Sequence, residues 1–240
     1  PHFIQGAIAG DRLFYSNDNY RRSKESPTRL FHIHTDGSTD PAGIKGRPLA
    51  QANARLFLAA SPDGQWMYMS GDGNQILRCA IAGPEKVEPV CGELTVPGSD
   101  NSHFNDPRGI DCDQAGRVYV CDRLNNRIQV LTAEGKHFKS IPVDAPDLVC
   151  VHKKSGAIYV QHAPRVDGKM ISRVTKLASV EDPKPVAKLD GPAGIMALDS
   201  WSPRPRIWIG GAEMSGTSTS LGIVAREFPS VAIWEEAQHR

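Results

Sequence analysis

Apolar residues occur in short runs along this chain, and within each run they are consecutive rather than alternating. The segments Trp66–Met69, Val118–Val120 and Ile158–Val160 are the clearest cases. A strand with one face in water alternates apolar and polar side chains, so a continuous run indicates a strand that is buried on both faces. We therefore expect short sheets that pack between other sheets.

The same order of features recurs five times. Each copy has a short apolar strand, a turn, a second apolar strand, a polar loop and a third strand. The second strands align at five aromatic residues, Tyr15, Tyr68, Tyr119, Tyr159 and Trp208. Their spacings of 53, 51, 40 and 49 residues fit a four-stranded propeller blade. The connectors lack the amphipathic helices that a parallel α/β protein requires.

The repeat predicts an all-β protein, a single β-propeller domain over residues 1–240 built from four-stranded antiparallel blades. We expect five blades, at about 1–50, 51–98, 99–144, 145–191 and 192–240. Longer loops follow the second strands at 17–27, 163–168 and 211–219. Together with the segment 93–106, these loops should gather on one rim of the disc.

The third blade resembles the NHL repeat. The matching residues are Phe104-Asn105-Asp106-Pro107, Gly109-Ile110, Asp113, Val118-Tyr119-Val120, Asp122 and Asn126-Arg127-Ile128. This resemblance implies a propeller, which in the family most often has six blades. Five are visible here, so the ring is either five-bladed or part of a six-bladed NHL-type propeller that belongs to a larger chain or assembly.

Composition narrows the classes of function. The chain is 40% hydrophobic and 23% charged, with a formal net charge of +1. Nucleic-acid binding depends on many basic contacts to phosphates, so this balance argues against a nucleic-acid partner. No run of 18 apolar residues is present, and we expect no membrane span.

Charged residues at the predicted loop-rich rim are the candidate ligand-binding residues. They are Asp18, Asp72, His103, Arg108, Asp122, Arg123 and His162. Three of them, the aspartates, end second strands. Such carboxylates would either bind a divalent cation such as calcium or cap the loops that follow. The basic residues alternate with acidic ones, which favours internal salt bridges over RNA binding.

The family contains enzymes as well as non-enzymes. In the zinc lyase that completes peptide amidation, histidines at comparable positions of several blades hold the metal, and His103 stands at one such position. The corresponding leads of the fourth and fifth blades carry no histidine. One histidine does not make a three-histidine site, so the resemblance does not extend to that metal centre.

Two functions from different classes remain. The first is a binding or scaffolding module that presents its loop-rich rim to a protein, glycan or small-molecule ligand. The alternative is a metal-dependent hydrolase, lactonase or lyase with its site at the mouth of the central channel. No complete catalytic set is visible in the sequence, and no cofactor is predicted beyond the calcium alternative.

The cysteines bear on compartment. The chain has five, and Cys79 and Cys91 flank the turn at 83–86 almost symmetrically. We expect that they face each other across a hairpin, where they could form a disulfide in an exported protein. With the start at Pro1, this favours an extracytoplasmic location, either periplasmic or secreted.

Overall fold

The computed structural model describes residues 6–16, 29–39, 47–48, 56–83, 86–190, 194–203, 205–211 and 231–235. This part of the chain is almost entirely strand and turn, with a single 3-10 turn at Arg123–Asn125. Within it, no helix has the length and apolar content to cross a bilayer.

The strands form five consecutive sheets. The first two contain β1 (Gly6–Ala9), β2 (Arg12–Ser16), β3 (Arg29–His34) and β4 (Arg47–Pro48), then β5 (Phe57–Ala60), β6 (Trp66–Ser70), β7 (Asn74–Ala80) and β8 (Val87–Glu93). The third contains β9 (Pro107–Cys112), β10 (Val118–Asp122), β11 (Arg127–Leu131) and β12 (His137–Pro142).

The fourth sheet contains β13 (Pro146–Val151), β14 (Ile158–His162), β17 (Arg173–Leu177) and β18 (Pro185–Asp190), with the small hairpin β15 (Arg165–Val166) and β16 (Lys169–Met170) inserted after β14. The fifth has three described strands, β19 (Gly194–Leu198), β20 (Arg206–Gly211) and β21 (Val231–Glu235). All pairings are antiparallel between neighbouring strands, and the first strands of successive sheets contact one another in chain order. These sheets are the blades of a β-propeller, as the repeat predicted; whether the full ring has five blades or six stays a prediction.

The second strands are buried on both faces. Val118 and Val120 of β10 belong to the apolar cluster shared with Tyr68 of the second blade. Tyr119, between them in sequence, faces the other way and belongs to the cluster shared with Ile158 of the fourth blade. The continuous apolar run therefore supplies two interblade cores at once, which confirms the interpretation of the sequence pattern.

The aligned tyrosine of the third blade also ties the strand to its turn. The Tyr119 hydroxyl donates to Asp113 Oδ2 at 2.8 Å, and Arg117 Nε reaches the same oxygen at 2.5 Å. The other oxygen, Asp113 Oδ1, accepts from the backbone of Ala115 at 3.0 Å and Arg117 at 2.9 Å. Gly116 closes the turn with a φ of 82°, in the left-handed region that favours glycine.

The predicted pairing of Cys79 with Cys91 is wrong. Cys79 lies opposite Val87, and Cys91 lies opposite Ile76, because the β7–β8 hairpin is centred near Gly83 and a bulge follows Ile76. All five cysteines are free thiols. The disulfide argument for export is therefore lost, and the extracytoplasmic location stays a prediction.

Candidate functional site

One end of the propeller carries the loops that follow second strands and the loops that join blades. In the described part this loop rim consists of residues 71–73, 94–106, 123–126, 143–145 and 163–172. Most of the residues singled out from the sequence stand in these loops or at the strand ends beside them. Asp18 lies outside the described residues.

Asp122 is a loop cap. Its carboxylate is fully buried at the end of β10. Oδ1 accepts from the backbone N–H of Asn105 at 2.8 Å, and Oδ2 accepts from Asn125 Nδ2 at 2.8 Å and from Arg127 Nε at 2.7 Å. These bonds fasten two rim loops to the blade, and they occupy the oxygen positions that a metal ion would need.

Arg108 joins two blades through a cluster of charges. Its Nε lies 3.0 Å from Asp106 Oδ2, and its Nη1 lies 2.6 Å from Oδ1 of Asp147, a residue of β13, the inner strand of the next blade. Arg123 approaches the same Asp106 oxygen at 3.6 Å. Both arginines are half-buried, so the charges that the sequence placed at the rim stabilise the rim itself, as salt bridges between neighbours.

His103 is held by a carboxylate. Its Nδ1 lies 2.8 Å from Asp100 Oδ2, and its Nε2 lies 3.9 Å from Glu93 Oε1. The pKa of Asp100 is lowered by the backbone N–H of Ser102 and, next, by His103. A Cβ at Gly98 would stand 2.6 Å from the Cβ of His103, so glycine there leaves room for the imidazole.

The two remaining candidates are set apart from this group. Asp72 is only 1% exposed and lies beneath the rim surface. His162 faces a groove between the third and fourth blades, where Nε2 lies 2.8 Å from Thr175 Oγ1 and Nδ1 lies 3.3 Å from the Asp144 carbonyl oxygen. Burial lowers the pKa of His162, so its imidazole is neutral at neutral pH.

The candidates therefore occupy separate local networks. Among the residues that the structure describes, no three His, Cys, Asp or Glu side chains come together in a group that could hold a metal ion. Binding of calcium at the rim stays a prediction. What the described rim can do chemically is present fixed side chains to a partner.

Sequence reasoning missed the apolar side chains of the rim. Three large ones are exposed there: Val96 at 43%, Leu124 at 56% and Met170 at 53%. Each stands in a polar loop between predicted strands. An apolar residue in such a loop was the sequence feature that could have indicated an exposed binding side chain. The sequence pattern pointed to charged residues instead, and in the structure Arg108, Asp122 and His103 each bond other groups of the chain.

Leu124 is presented by a rigid turn. The backbone N–H of Leu124 donates to the Asn105 carbonyl at 3.1 Å, and the N–H of Asn126 closes the 3-10 turn on Arg123 at 3.2 Å. Asn126 takes a left-handed conformation with a φ of 52°. Asn125 Nδ2 bonds the Gly98 carbonyl at 2.7 Å and joins this turn to the loop that carries Val96.

Comparison with known proteins agrees with this architecture. Residues 104–131 match the model of the NHL repeat. A catalytically inactive virginiamycin B lyase from Staphylococcus aureus with quinupristin is 16% identical, with a TM-score of 0.57 over 88% of this chain and 64% of that one. A second structure of the lyase is also 16% identical, with a TM-score of 0.55 over 100% of this chain and 71% of that one.

A third similar structure is the hydrazine synthase of Kuenenia stuttgartiensis, which is 14% identical with a TM-score of 0.58 over 86% of this chain and 55% of that one. The chain spans only 64% of the quinupristin-bound lyase and 55% of the synthase. At these identities the likeness concerns the fold.

Proposed function

We propose that this chain, a β-propeller with an NHL repeat at residues 104–131, is a binding module that docks a protein partner on its loop rim. The observation that carries the proposal is the division of labour at the rim. The charged side chains bond one another and fix the loops, and Val96, Leu124 and Met170 remain exposed.

Fixed loops suit binding because a partner does not have to order them. Immobilising a flexible side chain or loop on binding costs about 0.5–1.5 kcal/mol for each mobile side chain. Leu124 is already held by backbone hydrogen bonds, and burying a leucine side chain contributes about 1.5–3 kcal/mol. Arg123 precedes Leu124, and Met170 is exposed elsewhere on the rim; both residue types are enriched at protein interfaces.

The experiment compares matched baits. Wild-type protein, the Leu124→Ser variant and the Phe138→Ser variant are immobilised and exposed to extract from the source cells, and the retained proteins are quantified. Phe138 is 48% exposed but stands on the outer strand β12, away from the rim. We expect at least one protein to be retained by wild type and Phe138→Ser and to be reduced about tenfold or more with Leu124→Ser.

The control decides the outcome. If every retained protein binds Leu124→Ser as well as it binds wild type, the rim is not the docking surface. If both variants lose the same proteins equally, the retention reflects general apolar stickiness, and the proposal fails on that ground as well.

A hydrolase or lyase is the second candidate, and one observation favours it. Asp100 holds Nδ1 of His103, which is the arrangement that positions Nε2 as a general base. A propeller lyase is also among the similar folds. Metal analysis of the purified protein, followed by turnover assays on lactone and ester substrates with His103→Gln as the matched variant, tests this candidate. Turnover that is lost in His103→Gln would support it over docking.

A further inference from the structure

A groove lies between the third and fourth blades. Its volume is about 520 Å³, within the range of small-molecule sites. Residues after β12 form one wall, and β14, β17 and β18 form the floor and the other wall. The groove shares Val143, Asp144 and Pro164 with the loop rim, but its lining does not include Val96, Leu124 or Met170, the exposed side chains proposed above for docking.

The floor and one wall are apolar. Val160 and Leu177 support the floor from beneath and are already covered by protein. Val143 and Ala187 are part-exposed apolar side chains of the lining. Val186 stands in the other wall and is 50% exposed, although an apolar side chain of this size gains free energy by burial. A ligand with an apolar body would cover Val186 together with Val143 and Ala187.

Polar groups lie along the same face of the fourth blade. Strand register places Arg173 opposite His162 and Thr175 opposite Lys188. The guanidinium of Arg173 is held by Asp190, from Nε at 2.5 Å and from Nη2 at 3.0 Å. A guanidinium has five N–H donors, so three of them remain for another acceptor.

Lys188 supplies a second cation on the same face of this blade, opposite Thr175. Its side chain is exposed at the groove, and among the described residues no ion pair within 4.0 Å involves it. Asp144 is the carboxylate of the lining, and it stands on the opposite wall, after β12. On the wall formed by the fourth blade, Asp190 balances the charge of Arg173, so Lys188 leaves that wall with a net positive charge.

His162 does not add to this charge. Its Nδ1 faces the Asp144 carbonyl oxygen at 3.3 Å, which requires a proton on Nδ1 and leaves Nε2 to accept from the Thr175 hydroxyl at 2.8 Å. The Thr175 oxygen can still accept a hydrogen bond. The imidazole of His162 therefore orients the Thr175 hydroxyl, which is an uncharged hydrogen-bond acceptor in the floor of the groove.

We propose that this groove binds a small amphipathic carboxylate, with its apolar body against Val143, Val186 and Ala187 and its carboxylate between Arg173 and Lys188. A planar carboxylate matches the N–H geometry of a guanidinium that another carboxylate already holds in place. The apolar body would cover the one large side chain that the wall leaves exposed.

The test is titration calorimetry with octanoate, and with octanol as the uncharged probe of the same chain. Wild-type protein should bind octanoate about tenfold or more tightly than octanol, because a charge-assisted hydrogen bond contributes about 1.5–3 kcal/mol. Lys188→Gln should weaken octanoate about tenfold and leave octanol unchanged. Val186→Ser should weaken both probes.

Lys136→Gln is the matched control, since it removes the same charge from a turn outside the groove lining, and it should bind both probes as wild type does. Octanoate that does not bind, or that binds Lys188→Gln and wild type equally, would overturn the proposal, as would equal affinity for octyltrimethylammonium. Leu124 does not line the groove, so Leu124→Ser should bind octanoate normally, and loss of docking in that variant would leave the proposal for the groove standing.

Discussion

Gly109 offers the sharpest test of how the blades pack. It lies in the inner strand β9, and an added Cβ would stand 2.6 Å from the Cα of Leu148, 2.8 Å from the carbonyl oxygen of Asp147 and 2.9 Å from the backbone nitrogen of Val149. All three atoms belong to the backbone of β13, the inner strand of the next blade. Glycine is required here by close approach of two strands.

The magnitude follows from those distances. Two carbon atoms rest at about 3.5–4.0 Å, so a methyl group at position 109 must push the strands about 1 Å apart. Overpacking of this kind costs about 1–3 kcal/mol. Replacing glycine with alanine also reduces the entropy of the unfolded chain, which stabilises by about 0.4–1 kcal/mol. The clash is larger, so Gly109→Ala should lower the free energy of unfolding.

Urea unfolding followed by tryptophan fluorescence measures the effect. Gly83→Ala is the control, because a Cβ at Gly83 meets no atom within 4 Å and its φ lies outside the left-handed region. That variant should be as stable as wild type or slightly more stable. If Gly109→Ala unfolds at the wild-type midpoint, the inner strands are not packed as closely as the structure indicates.

Three further predictions follow from the buried groups. Asp122→Ala should lower the free energy of unfolding by about 3–5 kcal/mol in urea melts, because Arg127 loses its buried partner, whereas Asp122→Asn should cost less; equal losses would contradict this. Burial raises the pKa of Cys150 to about 12, so this thiol should react slowly with DTNB in native protein at about pH 8. Unfolded protein should expose all five cysteines of the chain to the reagent. Burial lowers the pKa of His162 below its usual 6.5, so the unfolded chain takes up the proton first as the pH falls. The contribution of His162 to the free energy of unfolding should be fully present above about pH 6.5 and decrease below it. In His162→Gln, the urea midpoint should therefore fall less as the pH is lowered.

The fold could be predicted because the burial of each blade between two others determines the residue types of a few neighbouring positions. A blade between two blades needs apolar residues on both faces of its second strand, so Val118, Tyr119 and Val120 had to be apolar together. Turn residues reinforced the pattern, as with Gly116 and Asp113. These signals depend on a few neighbouring positions and repeat in every copy.

The pairing register of the strands was harder to predict from the sequence than the fold. Cys79 and Cys91 flank the turn almost symmetrically in sequence, with their midpoint at position 85, but the strands pair about position 83, so Cys79 lies opposite Val87. A bulge beside Ile76 then shifts the register by one more residue and places Cys91 opposite Ile76. A bulge shifts every later pair by one residue. Nothing in the side chains of Ile76 or Leu77 announces that shift, since either would fit a regular strand.

The site residues illustrate a different limit. Asp and Arg at strand ends suit a ligand, and they suit equally a loop that must be fastened; Asp122 bonds three groups of its own chain and Arg108 bonds two carboxylates. Residue type does not separate these uses, because both depend on the same hydrogen bonds. Exposure separates them: a charge that binds its neighbours is half-buried, and the side chain left to meet a partner is the one that nothing in the loop covers. At this rim that side chain is Leu124, and its prominence is a consequence of the charges that fix the turn beneath it.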